Sequence, residues 1–187
     1  NIMLFALGQT GVELSREEAV LANTLGKIHE ALAAYAFGAA CQSAFLYSAA
    51  AEAFAGADRL IDECALLGDH FFYALLRSER RAGMAEAAQS FVQRHPGLPE
   101  RWLGLANVMA VLESPSAERE AVEKAVETGP GLVGVWQYRG RLKEQAGDFS
   151  GAVEDYERVL EIDPNDPMAN NNLAYCLLMS GGDANQA

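Results

Sequence analysis

A spacing of 34 residues recurs through the second half of the chain and limits the folds available to it. Pro96, Pro130 and Pro164 are separated by this interval, and Trp102 and Trp136 keep the same interval. Two further series follow the step, namely Leu105, Arg139 and Leu173, and Ala106, Gly140 and Ala174. Because different residue types share one register, the chain contains an internal repeat, and a repeat of this length indicates stacked helical or mixed units.

The clearest unit predicts two antiparallel helices. Its first helix is expected over residues 136–145, and Gly147 would supply the left-handed residue that commonly follows a helix C-terminus. Asp148 is a good N-cap for a second helix, whose apolar residues recur at helical spacing. Pro164 would end that helix, because proline lacks an N–H and disfavours helix in the residue before it.

Residues 133–166 resemble the tetratricopeptide repeat (TPR) family. The resemblance rests on Trp136, Gly140, Gly147, Asp148, Ala152, Tyr156 and Pro164. Arg139 stands where the family usually has Leu, and the unit before it has a proline turn, Glu113–Ser116, in place of the usual Gly. We therefore divide the chain into clear TPR units over residues 99–187, the last one truncated, and divergent TPR-like units over residues 31–98. Residues 1–30 are expected to form a leading segment and an extra helix, with a capping box that begins at Ser15.

The resemblance implies an all-α fold, a right-handed α-solenoid of antiparallel helix pairs in a TPR-like superhelix. It also implies that the first helix of each unit lines a concave groove. The expected groove residues are Asn107, Gln137, Arg141, Asn171 and Tyr175. Amides and an arginine can bond the backbone and the carboxylates of an extended peptide. The carboxylate partner of Arg141 could belong to a ligand or to Glu144, one turn further along the same helix.

Composition and motif searches favour a chain without catalytic machinery. Lys and Arg number 14 against 26 Asp and Glu, a net charge of −12, and such a surface repels nucleic acid. His29, His70 and His95 have no metal-ligand spacing and are expected at the surface or at helix ends, and no phosphate-binding glycine loop occurs. Neighbouring acids such as Glu154 and Asp155 are expected on solvated helix faces. We predict no enzyme, no cofactor and no metal.

Three smaller features bear on partners, compartment and membranes. The sequence Arg77-Ser-Glu-Arg80-Arg81 is a basic concentration that could grip an acidic peptide or a phosphate, or could only favour a helix C-terminus. The three cysteines, Cys41, Cys64 and Cys176, are expected to be buried thiols in a reducing compartment. No stretch approaches the length that a membrane span needs.

The resulting prediction is a non-catalytic scaffold that binds a peptide or helix of a partner protein in its groove. The alternatives are the docking arm of a larger enzyme and a membrane-anchored bacterial assembly factor for secretion or surface polysaccharide. The alanine-rich composition favours a bacterial source, and the cysteines favour the cytoplasm. Both ends of the chain suggest cuts in a longer protein, so the exposed apolar face of the last helix could support self-association.

Overall fold

The computed structural model describes residues 16–61, 65–78 and 80–181. Throughout these ranges the regular structure is α-helical. The helices are α1 (Arg16–Ser43), α2 (Tyr47–Asp58), α3 (Ala65–Arg77), α4 (Met84–Arg94), α5 (Pro99–Val111), α6 (Pro115–Thr128), α7 (Val133–Gln145), α8 (Phe149–Ile162) and α9 (Pro167–Met179).

The chain divides into two compact units, an N-terminal unit over residues 1–87 and a C-terminal unit over residues 88–187. In the N-terminal unit, α1 packs against α2 and α2 against α3. In the C-terminal unit, the pairs α5–α6, α7–α8 and α8–α9 make the main contacts. Three residues join α1 to α2, α5 to α6 and α7 to α8, and four join α8 to α9, so these pairs form antiparallel helical hairpins.

A left-handed backbone residue ends the first helix of several hairpins, and these residues are spaced by multiples of 34. They are Phe45 (φ 60), Glu113 (φ 55), Gly147 (φ 80) and Gly181 (φ 81). In the first three, the next amide bonds to the carbonyl five residues earlier, as Leu46 does to Cys41 at 2.8 Å. This is the usual hydrogen-bonded helix ending in which the left-handed residue is most often glycine. The repeat register therefore extends to the first hairpin of the chain.

A glycine on the first helix meets an aromatic ring on the second helix in two hairpins. A Cβ added at Gly38 would lie 2.8 Å from the ring of Phe54, and one at Gly140 would lie 3.0 Å from the ring of Tyr156. Both rings are fully buried. Because the aromatic residue is sixteen positions after the glycine in each case, the two hairpins use the same close contact between helices.

The recurring prolines and tryptophans are joined by a hydrogen bond. The indole Nε1 of Trp102 donates to the Pro96 carbonyl at 2.7 Å, and that of Trp136 donates to the Pro130 carbonyl at 2.8 Å. Each bond ties the first turn of a repeat to the turn before it. In the third clear unit Asn170 takes the tryptophan position and bonds the Asp166 carbonyl at 2.9 Å instead. The 34-residue spacing of two residue types thus reflects one local contact.

Several expectations on the helices are confirmed. The turn after residue 145 is as predicted, because Gly147 is left-handed and the Asp148 side chain accepts the Gly151 amide at 3.0 Å. Gly83 is also left-handed and directly precedes α4. Cys41 and Cys176 are buried free thiols, while Cys64 lies outside the described residues. Burial raises the pKa of the Cys176 thiol.

Other expectations need correction. The separate leading helix predicted within residues 1–30 is not a separate element, because α1 continues without a break from Arg16 to Ser43. Its capping box at Ser15 lies outside the described residues. The turn at Glu113 does not replace the glycine geometry with a proline turn. Glu113 itself adopts the left-handed conformation, and Pro115 occupies the first turn of α6, where its missing N–H costs nothing.

The last described helix keeps much of its apolar surface in solvent. Leu173 packs against the core of the C-terminal unit, around Trp136, Tyr156 and Val159. Tyr175 and Leu178 are exposed, as are Met168 and Met179. Self-association through this helix stays a prediction.

Candidate functional site

The five predicted groove residues occupy two equivalent positions of successive repeats. Asn107, Arg141 and Tyr175 are 34 residues apart on α5, α7 and α9, and Gln137 and Asn171 form a second series one turn earlier. Residues four apart lie on the same face of a helix, so both series belong to one face of each first helix. Four of the five side chains are exposed, and Gln137 is half-buried. We call these five residues the first-helix surface.

Gln137 has a structural contact within the C-terminal unit. Its Nε2 donates to Asp166 Oδ2 at 2.8 Å, while Asp166 Oδ1 accepts the Ala169 amide at 2.7 Å and caps α9. One carboxylate therefore joins α7 to the start of α9. This bond uses one of the two N–H groups of the Gln137 amide.

Arg141 lies on the ring of Tyr138, with its Cζ 4.5 Å from the ring centre. The Tyr138 hydroxyl donates to Glu118 Oε1 at 2.9 Å, and burial together with this carboxylate raises the pKa of Tyr138 to about 12. Glu144, the internal partner that the sequence allows for Arg141, accepts the Tyr156 hydroxyl at 3.0 Å. Stacking on an aromatic face orders the guanidinium while its N–H groups stay at the surface.

Asn171 and Tyr175 sit on the exposed side of α9. The Asn171 amide donates to Asn172 Oδ1 at 3.3 Å, and Asn172 in turn donates to the Tyr156 hydroxyl at 3.3 Å. The Tyr175 ring meets the edge of Phe149, with ring centres 6.0 Å apart. Asn107 is exposed on α5. The surface thus offers amides, one ordered guanidinium and one anchored aromatic ring.

A buried ion cluster between α7 and α8, on the opposite side of α7 from the first-helix surface, was not predicted. Asp155 is 1% exposed, whereas the sequence placed it on a solvated face together with Glu154, which is exposed. Arg139 donates to both Asp155 oxygens, with Nη2 2.7 Å from Oδ1, and Lys143 Nζ lies 3.0 Å from Oδ2. These bonds and the Asp155 charge raise the pKa of the Arg139 guanidinium. The prediction for Asp155 was wrong, because two cations offset the cost of burying its charge.

The sequence did carry a signal for this cluster. Arg139 replaces a residue that is usually Leu in the family it resembles, and Asp155 is sixteen positions later, as Tyr156 is after Gly140. The same spacing places both pairs across the α7–α8 contact. A charged residue at a position that is usually apolar needs a partner of opposite charge, and the sixteen-residue spacing from Gly140 to Tyr156 indicates where on α8 that partner lies.

His70 also departs from expectation. It is half-buried, its Nε2 lies 3.0 Å from the Tyr35 hydroxyl, and its ring stacks on Phe54 with centres 5.1 Å apart. The surface or helix-end role predicted for it was wrong. In the part of the chain that the structure describes, no cluster of His, Cys, Asp and Glu could hold a metal ion.

Comparison with known proteins supports the repeat assignment. A family model described as "TPR repeat" matches residues 140–181. A mouse protein named "FK506-binding protein-like" is 31% identical over 86 residues, which cover 44% of this chain and 25% of that protein. The match therefore spans about a quarter of the curated relative. The family model confirms the resemblance to the TPR family over residues 140–181.

Solved structures support the fold. A crystal structure of MamA matches with a TM-score of 0.63 and 14% identity, covering 81% of this chain and 83% of that one. A TPR protein from Parabacteroides merdae matches with a TM-score of 0.65 and 15% identity, covering 82% of this chain and 61% of that one. The first TPR of Spaghetti (RPAP3), bound to an HSP90 peptide, matches with a TM-score of 0.55 and 19% identity, covering 63% and 94%. The fold class, an all-α solenoid of antiparallel helix pairs, is confirmed.

One finding concerns membranes. Among the described helices, none combines the length and the apolar character that crossing a bilayer requires.

Proposed function

We propose that this chain, which carries tetratricopeptide repeats, is a non-catalytic protein-interaction scaffold whose first-helix surface binds an extended peptide of a partner protein. The observation that carries the proposal is the recurrence of exposed ligand-type side chains at equivalent positions of α5, α7 and α9. A peptide in extended form presents groups at regular intervals. A repeated surface with regularly spaced side chains suits such a ligand.

Arg141 is the leading contact residue. Its guanidinium is exposed and is held by the Tyr138 ring at 4.5 Å, while Glu144 is engaged by Tyr156. A carboxylate of the peptide would therefore meet an ordered and exposed cation that can donate charge-assisted hydrogen bonds. Asn107 and Asn171 would bond the peptide backbone through their amides, and the Tyr175 ring would pack against an apolar side chain.

One of the similar solved structures supports a peptide as the class of ligand. The first TPR of Spaghetti is described as bound to an HSP90 peptide, which is a precedent for peptide binding on a fold of this kind. The chaperone-tail clamp of some TPR proteins needs paired Lys and Asn residues. Here Asn107 fits one clamp position, but Leu103 stands at the partnering one, so we propose a different peptide.

The test compares Arg141→Ala with Arg119→Ala. Arg119 is an exposed arginine on the second helix of its hairpin, so it controls for the loss of one positive charge. Partners are captured from the native host with the wild-type protein and identified, and the recovered peptide is titrated by calorimetry. Arg141→Ala should weaken binding about 10- to 150-fold, because a hydrogen bond to a charged group contributes about 1.5–3 kcal/mol.

The control should bind as the wild type does. Folding should hardly change in either variant, since exposed charged pairs contribute about 0–1 kcal/mol. Equal affinity of all three proteins for the recovered partner would remove Arg141 from the site and direct the search to the second helices.

A further inference from the structure

A second exposed surface lies in the N-terminal unit and is independent of the first-helix surface. It combines the α1–α2 turn with the end of α3 around a cavity of about 570 Å³. The residues that line it are Phe45, Leu46, Tyr47, Ser48, Ala49, Arg77, Ser78 and Arg80. We call it the Phe45 surface.

Phe45 has a backbone conformation that a bulky residue rarely adopts. Its φ of 60° is left-handed, and Gly147, at the equivalent repeat position, has a φ of 80°. A side chain at this position crowds the following carbonyl, which is why glycine is preferred there. The Phe45 ring nevertheless remains 75% exposed. The Cβ of Phe45 causes the strain and the exposed ring adds little burial to offset it, and such backbone outliers often mark functional sites.

The rest of the surface is aromatic and cationic. The Phe45 ring meets the edge of Tyr47 at 6.2 Å between centres, and Tyr47 meets Tyr73 at 6.1 Å. The Arg77 guanidinium lies over Tyr47, 5.7 Å from the ring centre, and Arg80 is exposed beside it. Both arginines belong to a protein whose net charge is −12. A cationic patch within such a chain favours a local acidic ligand, whereas the whole molecule repels a long polyanion.

We propose that the Phe45 surface binds a short acidic segment of a partner protein. A carboxylate of that segment pairs with Arg77 and Arg80, and an adjacent apolar side chain packs on the rings of Phe45 and Tyr47. Arginine binds carboxylates through two parallel hydrogen bonds, and an aromatic ring beside it supplies apolar contact at low entropic cost. Arg77 and Arg80 thereby gain a role beyond helix termination.

The probe is a random peptide library displayed on phage and selected on the immobilised chain. Four baits are used in parallel, the wild type, Phe45→Gly, Arg77→Gln and Glu113→Gly. Glu113 is the matched control, because it has the same left-handed conformation (φ 55) at the equivalent position of the C-terminal unit. The consensus peptide and its Glu→Gln version are then titrated by fluorescence anisotropy.

The proposal predicts that Phe45→Gly makes the protein more stable and weakens its binding of the consensus peptide. Its melting temperature should rise by about 2–4 °C, as in Glu113→Gly, because glycine relieves the left-handed strain. Its affinity for the consensus peptide should fall about 10-fold, and Arg77→Gln should lose about as much, while Glu113→Gly binds normally. The Gln peptide should bind the wild type about 10-fold more weakly than the Glu peptide.

Three results would overturn the proposal. The first is a selection without an acidic and apolar consensus. The second is a consensus that Phe45→Gly and Arg77→Gln bind as tightly as the wild type. The third is a short oligonucleotide that displaces the labelled consensus peptide at a lower concentration than the unlabelled consensus peptide does. Since Arg141 lies in the C-terminal unit, Arg141→Ala should leave this binding unchanged, which separates the two sites.

Discussion

The first hairpin of the N-terminal unit and the α7–α8 hairpin of the C-terminal unit have the same backbone plan and different side-chain chemistry. Each places a glycine against an aromatic ring sixteen residues later, Gly38 against Phe54 and Gly140 against Tyr156. Around Phe54 the neighbours are the rings of Tyr35 and His70. The Tyr156 hydroxyl instead contacts Glu144 and Asn172. One contact between helices is thus kept while the groups that complete it vary.

This difference explains why the α7–α8 hairpin resembles the TPR family in sequence more clearly than the α1–α2 hairpin does. A close approach of two helices needs a small residue facing a large one, and many neighbours can surround that contact. In the C-terminal hairpin, Trp136 also donates a hydrogen bond to the Pro130 carbonyl and Asp155 is buried. These contacts restrict which residue types can occupy further positions. In the N-terminal hairpin, the rings of Tyr35 and His70 pack around Phe54, and neither residue belongs to the usual TPR sequence pattern. Its backbone register is therefore retained with few of the usual markers.

The largest expected effect tests the tryptophan contact. Trp136→Ala should reduce the free energy of unfolding by about 3–5 kcal/mol, because it removes a ring that is 9% exposed and its bond to Pro130. Trp102, which is half-buried, is the matched comparison, and Trp102→Ala should cost less. Urea unfolding of both variants measures the difference. An equal or reversed order would contradict the burial described for the two rings.

The next prediction concerns the buried carboxylate. Arg139→Leu restores the residue usual in the family but leaves Asp155 with Lys143 as its remaining cation. We expect a loss of about 2–3 kcal/mol, below the 3–5 kcal/mol typical of a fully broken buried pair. Adding Asp155→Ala should recover much of this loss. A double variant less stable than the single one would mean that the two residues do not act as a pair.

The shared glycine contact should respond in both hairpins. Gly38→Ala and Gly140→Ala each place a methyl group within 3.0 Å of a buried ring, so each should destabilise by about 1–3 kcal/mol. Gly56, whose added Cβ would lie 3.8 Å from Arg59, is the control and should tolerate alanine. If Gly140→Ala destabilises while Gly38→Ala does not, the claim of a common contact fails.

A smaller effect is expected at high pH. The pKa of Tyr138 is about 12 in the folded chain, above the ordinary value of about 10 that applies when it unfolds. The folded state then holds a proton that the unfolded state has lost, so stability is complete below pH 10 and decreases between about pH 10 and 12. Tyr138→Phe should make this decline shallower in urea unfolding at pH 8 and pH 11. If the free energy of unfolding of Tyr138→Phe declines as steeply with pH as that of the wild type, a group other than Tyr138 causes the decline.

The sequence predicted the repeat, the fold class and the turn at Gly147 because each depends on local rules with strong residue preferences. It did not predict the unbroken α1, because we placed a helix boundary where the repeat register begins, at residue 31, although no proline or glycine marks a break there. The left-handed Phe45 was also missed. Only comparison with Gly147 at the same register reveals it, because no residue preference signals a phenylalanine in that conformation.

The candidate surface was predicted only as a set of positions. Asn107, Arg141, Asn171 and Tyr175 are exposed, and their role in a groove stays a prediction. Their contacts depend on neighbours in other helices, so the bond from Gln137 to Asp166 and the stacking of Arg141 on Tyr138 could not be inferred from spacing. The burial of Asp155 likewise depends on two cations that sit across a helix contact.

The most direct test of the common register is the backbone conformation at Phe45. At a positive φ the amide proton and the Hα of a residue come closest, so the NMR cross-peak within that residue is much stronger than in a helix. The account predicts strong intraresidue cross-peaks for both Phe45 and Glu113, whose φ values are 60° and 55°. A strong cross-peak at Glu113 with a helical or extended pattern at Phe45 would contradict a register shared by the two units.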